Sequence, residues 1–344
     1  MVLAEFMKEW NAPAEELLVH TSGSTGIPKP MWVSKKRMEA SARITCGFLG
    51  LKPGDSALLC LPLDYIAGKM MVVRSIVGGL NLVDVTPDGH PMRRFLEKLR
   101  QESETVARGA DSDCTITLAA MVPMQVYNSL QVPEEREALC RIRHLIIGGG
   151  AIDRQLADRL EDFPHAVWST YGMTETLSHI ALRRMNGETA DEWYTPFDSV
   201  KVSLSGEGCL VIRAPQVCPE TLVTNDMAEM APDNRRFRII GRKDNVVCSG
   251  GVKIQMEQVE ELLRPHLSFP YIVTKRPDRK FGEVVVLLAA VTSGGMADAK
   301  TICQAVLPSY WQPRVYLPVS HVPFTETGKP NRAEALRLAA QDVK

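Results

Sequence analysis

At residues 141–150 the chain reads RIRHLIIGGG, an apolar run that closes on three glycines. It is followed by Asp153 and by Leu156, Leu160 and Phe163 at helical spacing. A short apolar run bounded by turn residues predicts a buried strand. An aspartate just ahead of a periodic apolar stretch predicts a capped helix. TITLAAMVP at 115–123 predicts a second buried strand, and PMRRFLEKLRQ, with Met92, Phe95, Leu96 and Leu99 on one face, predicts another helix. Strand alternating with helix constrains the fold most, because it demands an α/β sheet covered by helices. Further on, SGEGCLVIRAP and RRFRIIGRKDN predict short strands with tight turns. A helix at MEQVEELLRP, stopped by Pro265, and strands at YIVTKR and EVVVLLAAV then predict a smaller α+β unit. The boundary falls at 241–244, giving domains of 1–241 and 242–344.

Two domains suit a length of 344 residues, since single cores stop growing near ~250–300 residues. Forty basic against forty-one acidic side chains leave a net charge of −1. That balance supplies no basic field for nucleic acid or an anionic membrane. The first twenty residues lack the apolar core of a signal peptide, and no run approaches the ~20 apolar residues of a membrane span. Eight cysteines without a CxxC pair predict reduced thiols in the cytoplasm, and seven scattered histidines argue against zinc.

The stretch HTSGSTGIPKP at 20–30 concentrates hydroxyls, glycines and one cation. Gly23 and Gly26 permit close backbone approach to an anion. Thr21, Ser22, Ser24 and Thr25 add donors, and Lys29 adds charge. In a Walker loop the lysine opens a helix whose amides hold phosphate. Here Pro28 and Pro30 flank it and remove two amide donors. Two readings stay open on these residues alone: an anion clamp, or a Ser/Thr/Gly surface linker.

Four more stretches join it: STYGMTET at 169–176, LVTNDMAEM with Asp226, GRKDNVVCSGGVKI, and FTETGKPNR at 324–332. In order and approximate spacing, the five resemble the motifs of the adenylate-forming acyl-CoA synthetase superfamily over residues 16–332. YGMTET followed by Ser178, together with LPLDYIAG, looks most like its o-succinylbenzoate–CoA ligases of menaquinone biosynthesis. The resemblance implies an N-terminally shortened adenylation domain and a mobile C-terminal domain. It also implies use of ATP and Mg²⁺ to turn a carboxylic acid into an acyl-adenylate, with pyrophosphate released and coenzyme A then displacing AMP.

The resemblance assigns residues one by one. Thr21, Ser22, Gly23, Ser24, Thr25, Gly26 and Lys29 would grip the triphosphate. Glu175 would ligate Mg²⁺, Tyr171 and Gly172 would border adenine, and Thr174 would reach the α-phosphate. Gly148, Gly149 and Gly150 match the adenine-pocket loop, although a plain strand-to-helix turn explains them equally. Asp226 and Arg242 match the ribose contacts, and Asp244 matches the hinge. Lys329 matches the adenylation lysine, and Gly250 with Gly251 matches the loop facing the pantetheine arm. The alternative for Glu175 is a surface or capping glutamate, and for Lys329 a solvated lysine.

For the acid, a second carboxylate calls for a cation, and Tyr65, Lys69, Arg74, Ser178 and His179 are the candidates. Solvated surface or capping positions are the competing reading for the polar ones. Asp64 and Tyr65 replace the aromatic–histidine pair usual after LPL, and Pro30 replaces a glycine. The short region before Thr21 predicts exposed apolar surface, which a homodimer would cover. Other functions remain open: another aryl or short-chain acid–CoA ligase, an adenylation module loading a carrier protein, or a non-catalytic nucleotide-binding remnant.

Overall fold

The computed structural model describes residues 1–20, 30–105, 115–150, 152–324 and 330–341, without the side chains of 103–105 and 293. The chain opens with α1 (Leu3–Asn11), then the antiparallel pair β1 (Glu16–His20) and β2 (Pro30–Ser34). Pairing of His20 with Pro30 brings together the two ends of the hydroxyl-rich stretch. Residues 21–29, with Thr21, Ser22, Gly23, Ser24, Thr25, Gly26 and Lys29, lie outside the described residues.

Next come α2 (Lys35–Leu49), β3 (Ser56–Leu59), α3 (Ile66–Gly78), β4 (Asn81–Asp84), α4 (Pro91–Thr105) and β5 (Leu118–Met121). They are followed by α5 (Pro123–Ser129), α6 (Pro133–Cys140), β6 (His144–Ile147), α7 (Arg154–Leu160), β7 (Ala166–Gly172), β8 (His179–Arg184) and β9 (Thr195–Pro196). The strands form one sheet in the order β4-β3-β5-β6-β7-β8-β9, parallel through β7 and antiparallel beyond. Side chains alternate between its faces, as strand geometry requires. Leu118, Ala120 and Ile146 join the core beneath α2 and α3, whereas Ala119, Leu145 and Ile147 join the one beneath α4 to α7. The predicted strands are thus present, but shorter than the apolar runs. Asp153 caps α7 by accepting from the Leu156 amide at 2.8 Å.

Strands β10 (Lys201–Leu204), β11 (Cys209–Arg213), β12 (Thr221–Met230) and β13 (Phe237–Arg242) form an antiparallel sheet in chain order. After a single 3₁₀ turn at Lys243–Asn245 a different sheet begins. It contains β14 (Val246–Ser249), β15 (Val252–Gln255), β16 (Tyr271–Asp278), β17 (Gly282–Ala289) and β18 (Val315–Pro318). Helices α8 (Met256–Leu263), α9 (Ser293–Val306) and α10 (Arg332–Gln341) accompany it. Here too alternation makes two cores, with Val285 and Leu287 in one and Val286 and Leu288 in the other. Among the described residues, no helix is long and apolar enough to cross a membrane.

Candidate active site

The carboxyl ends of β6 and β7 lie side by side, the position where parallel α/β sheets receive ligands. Gly148, Gly149 and Gly150 follow β6 and lead toward α7, with Gly149 at φ +80°. Tyr171 and Gly172 end β7, and a 3₁₀ turn at Thr174–Thr176 then carries Glu175 outward to solvent while Thr174 is buried. A Cβ on Gly172 would come within 2.2 Å of the Ser178 carbonyl oxygen. That close approach lets the chain double back, so that Ser178 and His179 return beside the strand they have just left.

Asp226, on β12, sits opposite Arg242, on β13. Its Oδ2 accepts from the Tyr171 hydroxyl at 2.6 Å and its Oδ1 from Arg242 Nη1 at 3.0 Å. Burial, and then the Asp226 charge, push the Tyr171 phenol far above its usual range, so it remains a donor. Arg242 also reaches Asp244 Oδ2 at 3.1 Å, where Asn225 donates as well at 3.2 Å. The structure therefore brings Tyr171, Asp226, Arg242 and Asp244 into one connected group.

Sequence reasoning missed two members of this neighbourhood. The Tyr171 ring meets Phe237 edge-on at 5.1 Å and lies 5.9 Å from Tyr194, and Tyr194 stacks on Phe237. Tyr194 and Phe237 are joined by an isolated backbone bridge, a long-range pairing that no local pattern announces.

The acid-site candidates divide. Tyr65 precedes α3 and bridges His20. Lys69 and Arg74 are each 2% exposed, which overturns the solvated-surface reading for both. They do not meet. Lys69 lies 5.5 Å from the Phe6 ring and 3.7 Å from Met1 Sδ, against α1. Arg74 turns the other way, and its Nη2 donates to Ser178 Oγ at 2.5 Å. Ser178 lies 3.4 Å from His179 Nδ1, and His179 Nε2 lies 3.0 Å from Thr45 Oγ1. Because Thr45 donates its only hydroxyl proton to the Ser41 carbonyl, His179 Nε2 must carry the proton it gives to Thr45. Its Nδ1 is then the acceptor facing Ser178. Burial, followed by the Arg74 charge, holds the His179 imidazole well below its ordinary pKa, consistent with this neutral tautomer.

Gly250 and Gly251 form the two-residue turn between β14 and β15, with φ +57° and +85°. Two positive φ values in a two-residue hairpin favour glycine whatever else approaches the turn. Lys329 lies outside the described residues, which resume at Pro330 in a bridge with Phe324. Arg332 is anchored just beyond, donating to both Glu260 oxygens at 2.7 Å and to the Val273 carbonyl at 2.6 Å. The described residues contain no cluster of three or more His, Cys, Asp or Glu able to hold a metal. A magnesium ion would rest on the exposed Glu175 carboxylate and on phosphate oxygens, a set that suits this hard cation.

A parallel sheet with a glycine turn at the carboxyl ends of its strands, and a carboxylate held between a tyrosine and an arginine beside it, is the frame of an adenylate-forming enzyme. The chain belongs to the AMP-binding enzyme family, which matches residues 8–214. An acyl-CoA synthetase (AMP-forming)/AMP-acid ligase II-like protein of Dyadobacter fermentans is 31% identical, superposing at TM-score 0.61 over 99% of this chain and 93% of that one. The 2-succinylbenzoate–CoA ligase of Bacillus cereus is 25% identical over 98% of this chain and 73% of its own length. The Bacillus subtilis o-succinylbenzoate CoA synthetase, solved with ATP and magnesium, superposes at TM-score 0.72 and 21% identity over 92% of this chain and 69% of that one.

Proposed function

We propose that this adenylate-forming ligase activates o-succinylbenzoate and transfers it to coenzyme A, a step of menaquinone biosynthesis. The observation that carries the substrate choice is Arg74. Its guanidinium is buried, it has no ion-pair partner among the described residues, and its Nε is unpartnered. Burial pulls its pKa down to about 10, which still leaves it charged at neutral pH. A buried cation is costly without an anion, and the second carboxylate of a keto-dicarboxylic acid would supply one. Ser178 and His179, fixed beside it, would orient that carboxylate.

In the first half-reaction the acid's other carboxylate attacks the α-phosphorus of ATP, and pyrophosphate departs. Two anions must approach each other, so cations and donors have to offset the charge that develops. Residues 21–29 and Lys329 would supply cations, and Thr174 would face the α-phosphate. Asp226, with Arg242, would hold the ribose while Tyr171 borders the base. Magnesium, held through Glu175, would neutralise phosphate charge. In the second half-reaction the coenzyme A thiolate attacks the acyl carbon and AMP leaves with the bonding pair. Lys329 is useful only in the first step. A swing of 242–344 about Asp244 against 1–241 would withdraw it and present the Gly250–Gly251 turn to the pantetheine arm.

A pyrophosphate-release screen tests the substrate. Benzoate acids with a keto-dicarboxylate arm should be preferred over monocarboxylic analogues, and Arg74→Met should abolish that preference by raising KM for the dicarboxylate about tenfold or more. Equal use of both acid types by the unaltered protein would refute the assignment. Strict dependence on a carrier protein would replace coenzyme A as the acceptor.

A further inference from the structure

Ser41 and Thr45 on α2, Arg74 on α3, and Ser178 and His179 at the start of β8 meet inside the core. Thr45 is fully buried, and Ser41, Arg74 and His179 are nearly so. Their polar atoms form a chain of hydrogen bonds with a single direction. The Arg74 guanidinium donates to Ser178 Oγ at 2.5 Å, which leaves the Ser178 hydrogen in need of an acceptor. His179 Nδ1, at 3.4 Å, is that acceptor. On the other side of the ring, Nε2–H donates to Thr45 Oγ1 at 3.0 Å, and the Thr45 hydroxyl donates to the Ser41 carbonyl at 3.1 Å. A carbonyl can only accept, so the helix end of the chain sets the sense of every bond before it. The Phe197 ring, with its centroid 5.7 Å from that of the imidazole, flanks His179.

The links are unequal. The contact between Ser178 and His179 is the longest of the four and lies near the outer limit of a hydrogen bond. The Ser178 hydroxyl rotates to suit its best acceptor, and a bond to an ionised oxygen is roughly twice as strong as one between neutral groups. A carboxylate held by Arg74 would therefore draw the hydrogen away from His179. An uncharged carbonyl would gain too little to offset the lone pair left bare on buried Nδ1.

We propose that Thr45 and His179 are positioning residues that make Ser178 a selective donor, one whose hydroxyl turns to the acid's second carboxylate but not to an uncharged carbonyl in its place. The inference rests on the reading that the acid is a dicarboxylate gripped by Arg74. Thr45 acts only through His179, and His179 through Ser178. Arg74 alone would discriminate less, because its N–H groups also bond neutral carbonyls. Were the imidazole proton on Nδ1 instead, it would itself donate to Ser178, and the hydroxyl hydrogen would be free for either kind of ligand.

Nitrogen-15 NMR of the unliganded protein reads the ring directly and needs no variant. Nε2 should show an N–H-type resonance and Nδ1 a lone-pair-type one. Thr45→Val leaves Nε2 facing a methyl group and should raise the fraction of rings protonated on Nδ1. In pyrophosphate-release assays it should lower the preference for o-succinylbenzoate over the analogue with a carboxamide at the second carboxylate about fivefold or more. The change should come from a lower KM for the carboxamide, with KM for ATP within about twofold of the unaltered protein. Thr45→Ser, which keeps the hydroxyl, should restore the preference. A ring protonated on Nδ1 in the unaltered protein overturns the inference, as does a preference unmoved by Thr45→Val. In either case a surviving preference for the dicarboxylate leaves the substrate reading standing. Equal use of acid and carboxamide by the unaltered protein overturns both.

Discussion

Arg74 brings a positive charge into a buried position, where its shortest hydrogen bond is the one it donates to a serine hydroxyl. In the free protein this charge weighs against folding, so Arg74→Met should leave the melting temperature unchanged or raise stability by about 1–3 kcal/mol. Calorimetry showing instead a clear loss would make Arg74 a structural residue and weaken its assignment to substrate. His179 makes an opposite, pH-dependent contribution. Its folded pKa lies below the unfolded value of about 6.5, so below that pH the unfolded chain binds a proton that the folded chain refuses. Its stabilisation is complete above about pH 6.5 and is lost as pH falls. Urea melts from pH 7.5 to 5 should show a slope of up to about 1.4 kcal/mol per pH unit from this group. His179→Gln should reduce the slope, leaving a same-signed remainder from His144, which burial also pushes down. Neither behaviour was legible from local sequence, where a lone arginine and a lone histidine look solvated. A usable signal existed nonetheless: IAGKMMVVRSIVG is apolar on nearly every side, and a helix of that kind is buried with whatever charges it carries.

Elements announced themselves better than individual contacts. The glycine-ended strand β6, the capped helix α7 and the apolar face of α4 follow from spacing and capping chemistry. Strand lengths did not, because the flanking apolar residues pack as loops against the cores. The pair β1–β2 also escaped, although ELLVH and PMWVS alternate as strands should, because the hydroxyl-rich stretch between them drew the reading toward a loop. Helix α10 is held by a connection invisible in its own sequence, the bidentate bond of Arg332 to Glu260 on α8. Glu260→Gln would leave that guanidinium, 16% exposed, without its counter-charge. Stability of the 242–344 unit should fall by about 2–4 kcal/mol, with hydrogen exchange in α10 rising first. If Lys329 acts in adenylation, the same change should also slow pyrophosphate release, since Arg332 anchors the chain three residues beyond it.

At the scale of the whole molecule, one sheet ends at β13 and a separate one begins at β14, which is where the proposed junction of two units falls. A rearrangement there predicts separable half-reactions. Lys329→Ala should lower acyl-adenylate formation about a hundredfold or more. Thioester formation from preformed acyl-adenylate should stay within about threefold of the unaltered protein, as rapid-quench assays of each step would reveal. Equal damage to both steps would rule out distinct working arrangements. The start of β14 is also tied to β12, because a single guanidinium, that of Arg242, grips Asp226 with one nitrogen and Asp244 with the other. On the proposed reading, a ribose competing for Asp226 would loosen one end of this tether, and reorientation at Asp244 would strain the other. Reciprocity then requires that whatever factor ATP applies to the balance between arrangements, each arrangement returns to the affinity for ATP.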